Sequence, residues 1–158
     1  MNIDLSPIGL NFEDKPLVVG GKAMEYYGLR KSGLDIDLVV SKRDFRSLLK
    51  KDTLSLKDLY ADLGIVIDEF EIWKTIYGYD YEYLSRDAIS LDTVLMISIE
   101  KLLLMKACAV HIEKYRKDTE LISKYIQSKH GKTVEYLRTE NDSLLHHLSN
   151  VTYVEKTG

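Results

Sequence analysis

Hydrophobic and polar positions follow two periods along the chain. As far as about residue 90 the apolar residues come in short runs bounded by Gly, Pro and charged residues. From Ser98 onward they recur at helical spacing. The first regime predicts strands and short helices. Residues 1–16, with Pro7, Gly9 and Pro16, read as an irregular arm, and Leu17-Val18-Val19 as a short buried strand. Gly20-Gly21 predicts a turn, Lys22 to Leu29 a short helix closed by Gly28, and Arg30-Lys31-Ser32-Gly33 a polar loop. Asp35 to Val40 is a second strand, with Ile36, Leu38 and Val40 alternating against Asp35, Asp37 and Val39.

Ser41 is placed to cap a helix over Lys42 to Lys50 with the stripe Phe45, Leu48 and Leu49, and Leu54 to Leu63 reads as another helical piece. Residues 65–84 are the most β-prone stretch, with strands expected near Ile65–Ile67 and Phe70–Ile76. A turn is expected over Tyr77-Gly78-Tyr79-Asp80, then alternation at Tyr81 and Tyr83. In the second regime Ile99, Leu102, Leu103, Lys106, Ala107 and Val110 share a helical face. Lys117 to Lys129 and Thr133 to Leu148 form two further helices. The pattern gives an α+β fold: an α/β core over residues 1–90 with its N-terminal arm, and a helical segment over 91–158 packed on it as one compact unit.

Composition narrows the classes without choosing among them. At 158 residues, 45% hydrophobic and 30% charged, the chain has the balance of a soluble globular protein. A net charge of −3 excludes a global basic field for nucleic acid, although Arg30, Lys31, Lys42 and Arg43 form a local basic cluster in sequence. The single cysteine, Cys108, excludes an internal disulfide and a cysteine zinc cage, and within LLLMKACAV it reads as a buried structural thiol. No signal peptide and no membrane-length apolar run is visible, so a cytoplasmic protein with no membrane partner is expected. His111, His130, His146 and His147 lack metal-ligand spacing and read as structural or surface residues.

The chemistry concentrates in LVVGGKAMEYYGLRKSGLDIDLVVS, residues 17–41. Asp35 and Asp37 on one strand point to the same face, about 6.5–7 Å apart along the chain. Two adjacent carboxylates repel unless a cation is shared between them. A phosphatase nucleophile would end its strand rather than begin it, and a dinucleotide site would need a third glycine. Oxygen ligands after a glycine turn suit Mg²⁺ and phosphoryl transfer.

Val19-Gly20-Gly21 followed by Asp35-Ile36-Asp37 resembles the signature of the DNA polymerase beta-like nucleotidyltransferase superfamily. The surrounding sequence is similar to its small bacterial branch of minimal nucleotidyltransferases, abortive-infection toxins and antibiotic-modifying enzymes. The resemblance covers about residues 17–126. It implies a small mixed nucleotidyltransferase sheet flanked by helices. Asp35 and Asp37 would hold two Mg²⁺, and Gly20 and Gly21 would cradle the triphosphate of an NTP. A third acid on a neighbouring strand would help activate the acceptor hydroxyl. Phe70-Glu71-Ile72 gives the favoured frame for that acid, and Asp68 is the alternative metal ligand. Three positions apart on a regular strand, the two would face opposite sides.

Lys106 falls inside an apolar stripe, where burial requires a partner, either the triphosphate or Asp118. Arg30 and Lys31 could contact phosphates. The implied activity is NMP transfer from an NTP to an acceptor hydroxyl or phosphate, the acceptor being tRNA, a protein or a small molecule. The competing reading is a degenerate nucleotidyltransferase-fold binding protein, such as a toxin–antitoxin component with a cognate partner or a homo-oligomer.

Overall fold

Three apolar runs pair as the centre of a sheet: Leu17–Val18 (β1), Ile36–Val39 (β2) and Phe70–Trp73 (β5). Leu17, Val18, Leu38, Val39, Phe70 and Ile72 are fully buried, so hydrophobic burial on both faces holds these strands in the middle of the fold. The computed structural model describes residues 3–51, 55–59 and 62–130. The chain comprises two compact units, Met1–Ile122 and Ser123–Gly158. Residues 123–130 of the second unit are helical.

The remaining strands are Ser55–Leu59 (β3), Asp62–Ile67 (β4), Thr75–Ile76 (β6), Tyr79–Asp80 (β7), Ile89–Ser90 (β8) and Leu95–Met96 (β9). Seven of them form one mixed sheet in the order β3-β4-β5-β2-β1-β9-β8, and β6-β7 make a separate hairpin. β2 runs parallel to β5 and antiparallel to β1, while β3-β4-β5 is an antiparallel meander. The helices are Gly20–Tyr26 (α1), Lys42–Leu48 (α2), Tyr81–Leu84 (α3), Ile99–Cys108 (α4) and residues 113–122 (α5). The fold is α+β. Among the described residues no helix is long and apolar enough to cross a membrane.

Local chemistry explains where the elements start and stop. The Ser41, Asp80 and Ser98 side chains each accept a backbone N–H three residues on, capping α2, α3 and α4. α1 ends in paired bonds from the Gly28 and Leu29 amides to the Glu25 and Met24 carbonyls, with Gly28 left-handed.

Several expected elements differ. Gly20-Gly21 is the first turn of α1, not a turn before it, because Val19 already serves as the cap position. The described residues of the helical piece expected over Leu54–Leu63 are strand instead: β3 and β4 occupy them, paired from Ser55↔Val66 to Leu59↔Asp62. β3 is an edge strand with Leu56 exposed, so its sequence lacks the apolar alternation that marks a strand. Tyr79–Asp80 is a strand and Tyr81–Leu84 a helix, the turn being confined to Tyr77-Gly78 between the partners Ile76 and Tyr79. On α4 the buried side carries Ile99, Leu102, Met105 and Lys106, while Ala107 and Val110 are exposed. Cys108 is likewise exposed, one position off the buried stripe, and not a core thiol. Leu49 is exposed beside the buried Phe45 and Leu48. The helix expected over Thr133–Leu148 lies outside the described residues.

One close approach fixes the sheet beside β5. Gly64 on β4 opposes Trp73 on β5, and a Cβ at Gly64 would lie 2.6–2.9 Å from three atoms of the indole. Trp73 is 2% exposed and cannot retreat. Gly64→Ala is expected to destabilise the protein by about 1–3 kcal/mol through overpacking. Urea unfolding followed by the emission of the only tryptophan checks this, and an unchanged midpoint would contradict the packing described.

Candidate functional site

The parallel register of β2 and β5 sets Asp37 directly opposite Glu71, and Val39 opposite Trp73. Successive residues of a strand alternate faces, so Asp37, Glu71 and Trp73 share one side of the sheet. The same parity carries across β4 and β3 through the pairs Gly64↔Trp73 and Lys57↔Gly64. That face is the floor of a cavity of about 180 Å³. Its other walls come from the start of α1 (Gly20, Gly21), from α4 (Met105, Lys106) and from Lys114 and Tyr115.

Asp37 is the most constrained group of the floor. Gly20 has φ 60°, and a Cβ on it would come within 1.9 Å of Asp37 Oδ2. Any side chain there collides with the carboxylate, so glycine is required both by conformation and by space. The Gly21 backbone N–H and the Trp73 indole N–H donate to the carboxylate and favour its charged form. Burial and the neighbouring Glu71 charge outweigh them, and the Asp37 pKa is raised.

The cation shared by this pair is a lysine. Lys57 Nζ lies 2.5 Å from Glu71 Oε1. Glu71, and more weakly Asp37 and Asp35, raise the Lys57 pKa. Asp35 is the residue before β2; it is exposed and does not line the cavity, but its charge still reaches Lys57. Of the two candidates for the third acid, Glu71 adjoins Asp37. Asp68 sits exposed in the β4–β5 turn at φ 50°, away from the lining.

The other expected phosphate contacts are committed to a second cluster. Asp118, 1% exposed, accepts a two-pronged bond from Arg30 at 2.6 and 2.8 Å and lies 3.1 Å from Lys106 Nζ. Burial pushes the Asp118 carboxyl up, but Arg30 and Lys106 outweigh it and hold the pKa below the usual range. Burial depresses the Lys106 pKa despite Asp118. The Lys106 ammonium also sits 4.6 Å from the Tyr115 ring centroid, on the cavity wall. Lys31 is exposed and does not line the cavity. Gly21 does line it, with its N–H directed to Asp37.

Sequence reasoning passed over Lys57, Asp62, Trp73 and Tyr115. Trp73 could have been found, since it stands two residues from Glu71 on the same strand. Lys57 could not, because β3 was read as helix. Asp62 is held by Thr75 Oγ1 at 2.7 Å and the Tyr77 N–H at 2.5 Å, so it ties the β6 segment to the cavity rim.

Among the described residues no three His, Cys, Asp or Glu side chains converge as a ready metal cage. The donor set nevertheless suits a hard divalent cation: Asp37 and Glu71 are in-register oxygen donors that already draw one cation, Lys57. Comparison of the chain with protein-family models, with curated proteins and with solved structures finds no match.

Asp37→Asn is expected to stabilise the metal-free protein at neutral pH, because Asn keeps an acceptor for Gly21 and Trp73 and removes the desolvated charge beside Glu71. A raised folded-state pKa means that ionised Asp37 opposes folding above that pKa. The opposition fades as pH falls through the folded pKa toward the ordinary value of about 3.9. The mutant's advantage in urea midpoint is thus largest near neutrality and shrinks toward pH 4; a pH-independent difference would contradict this origin. Asp118→Ala leaves Lys106 buried without its partner and is expected to cost about 3–5 kcal/mol in the same unfolding assay.

Proposed function

We propose that the first unit is a Mg²⁺-dependent nucleotidyltransferase of the DNA polymerase beta-like kind, transferring an NMP from an NTP to an acceptor hydroxyl or phosphate. The observation that carries this reading is the in-register Asp37–Glu71 pair on parallel strands, with Gly20 held against Asp37 at the cavity wall. Asp37 and Glu71 would hold the metal, and Asp35, exposed outside the cavity, would add only its charge. Bound there, Mg²⁺ neutralises phosphate charge and favours the alkoxide form of the acceptor.

The chain's own groups divide the remaining work. Lys106 and Lys114 supply positive charge to polyphosphate from the walls of the same cavity. The cavity holds the acceptor oxygen near the α-phosphorus, so part of the barrier is met by positioning. A bond forms from the acceptor oxygen to the α-phosphorus as the α–β bridging P–O bond breaks. Pyrophosphate leaves with that electron pair, and the acceptor proton passes to the Glu71 carboxylate. A cytoplasmic setting, where Mg²⁺ and NTPs are supplied, accompanies this reading.

A second reading has its own support. Glu71 is paired with Lys57, and Arg30 and Lys106 are both bound to Asp118, so the charged groups are satisfied without substrate. A binding protein that keeps the nucleotidyltransferase fold without turnover, acting with a cognate partner, would look the same.

Incubation with α-labelled NTP, Mg²⁺ and pooled tRNA, protein or small-molecule acceptors separates the two. Asp37→Asn is expected to lower transfer beyond detection, and Glu71→Gln to lower it by about 10²–10⁴-fold. Asp68→Asn should stay within about twofold of wild type, as a surface turn substitution away from the cavity. Equal transfer by wild type and Asp37→Asn rejects the enzyme reading. NTP binding that is indifferent to Mg²⁺ and to Asp37, with no transfer, favours the binding protein.

A further inference from the structure

Lys57 reaches the acidic pair from an edge strand two strands away from β5 and three from β2. It stands on β3 opposite Gly64 of β4, and Gly64 in turn stands opposite Trp73 of β5. All three lie on the cavity side of the sheet. Gly64, without a side chain, leaves its face to the Trp73 indole, and the Lys57 ammonium meets the Glu71 carboxylate beside it. The ammonium ends 2.5 Å from Glu71 and lines the same cavity as Asp37. Its side chain remains 42% exposed, whereas that of Glu71 is 17% exposed. The lysine can therefore leave for solvent at little desolvation cost, and the glutamate cannot.

We propose that Lys57 is a tethered counter-cation: it neutralises the Asp37–Glu71 pair in the empty site, competes with a divalent cation for Glu71, and so sets the metal concentration at which the site loads. The proposal rests on the reading of Asp37 and Glu71 as metal ligands. Two like charges set in register on adjacent strands repel, and a mobile cation on a flexible stem relieves that repulsion without a fixed site. When a divalent ion takes the Glu71 oxygen, the ammonium is released into the cavity, where it can meet a polyphosphate brought with the metal. The edge strand thus supplies a loading threshold that Asp35, Asp37 and Glu71 would not have by themselves.

The test uses metal alone, on the full chain. Mn²⁺ is titrated against the emission of Trp73, the only tryptophan, which bonds to Asp37; Mg²⁺ is titrated by calorimetry. Lys57→Gln is expected to tighten metal binding by roughly tenfold, equivalent to about 1.4 kcal/mol. Lys57→Arg keeps the charge and should remain within about twofold of wild type. Asp37→Asn should abolish binding in every background. Lys57→Thr, which suits an edge strand, repeats the comparison if the glutamine variant does not fold.

Wild-type or weaker affinity in the neutral variants, with binding still lost in Asp37→Asn, overturns the counter-cation and leaves the metal site standing. Absence of Asp37-dependent binding in both the wild type and the neutral variants overturns the counter-cation and the metal-site reading together.

Discussion

Placing one carboxylate beside another in a partly desolvated pocket opposes folding, and in the first unit this happens where β2 meets β5. Asp37 and Glu71 are Cα partners on parallel strands, so no side-chain rotation takes either far from the other. The surroundings are built to tolerate that repulsion. Gly20 gives up its side chain to make room for the Asp37 carboxylate, Gly21 and Trp73 each donate an N–H to it, and Lys57 covers Glu71. Gly64 gives up its own side chain to the Trp73 ring, which keeps the indole N–H in reach of Asp37. Four separate stretches of chain are thereby shaped by one electrostatic constraint. A fold selected only for stability would carry apolar residues at these positions, and the place of the pair at a cavity floor is the ground for the function proposed above.

The second buried charge cluster secures the opposite wall. Asp118 on α5 binds Arg30, from the loop after α1, and Lys106, from α4. It thus ties the loop after α1 to the consecutive helices α4 and α5, with Lys106 as the member that lines the cavity. Breaking such a cluster strands a buried charge, so Asp118 positions Lys106 on the wall. The two sets are also coupled, because Asp37 contributes to the potential at both Lys106 and Tyr115.

Much of this arrangement was legible in the sequence, for identifiable reasons. Val19-Gly20-Gly21 and Asp35-Ile36-Asp37 are local patterns that marked the stretch where Gly20 packs against Asp37 and the helix closes at Gly28, but Gly20 belongs to that helix and Asp35 stands outside the cavity. The Lys106–Asp118 pairing was legible because a lysine in an apolar stripe needs a partner. The choice between Asp68 and Glu71 was only half legible. Strand parity separated them, but the register between β2 and β5, which puts Glu71 beside Asp37, joins residues more than thirty positions apart. β3 escaped altogether, since Ser-Leu-Lys-Asp-Leu on an exposed edge carries polar groups on both faces and has no period to read. With β3 went Lys57, the cation nearest the acids.

The charge balance of the cavity bears on what can enter it. Asp37, Asp62 and Glu71 line it together with Lys57, Lys106 and Lys114. Most of these already have partners: Asp62 with Thr75 and Tyr77, Glu71 with Lys57, and Lys106 with Asp118. A lone cation must displace Lys57 from Glu71, and a lone anion must draw Lys106 from Asp118. The first releases the half-exposed Lys57, and the second leaves Asp118 with Arg30 alone. A ligand carrying both signs compensates on both sides at once, the metal meeting the acids and the phosphates meeting the released lysines. Under the proposed function, the pairing within the cavity would favour a metal–polyphosphate complex over either component alone.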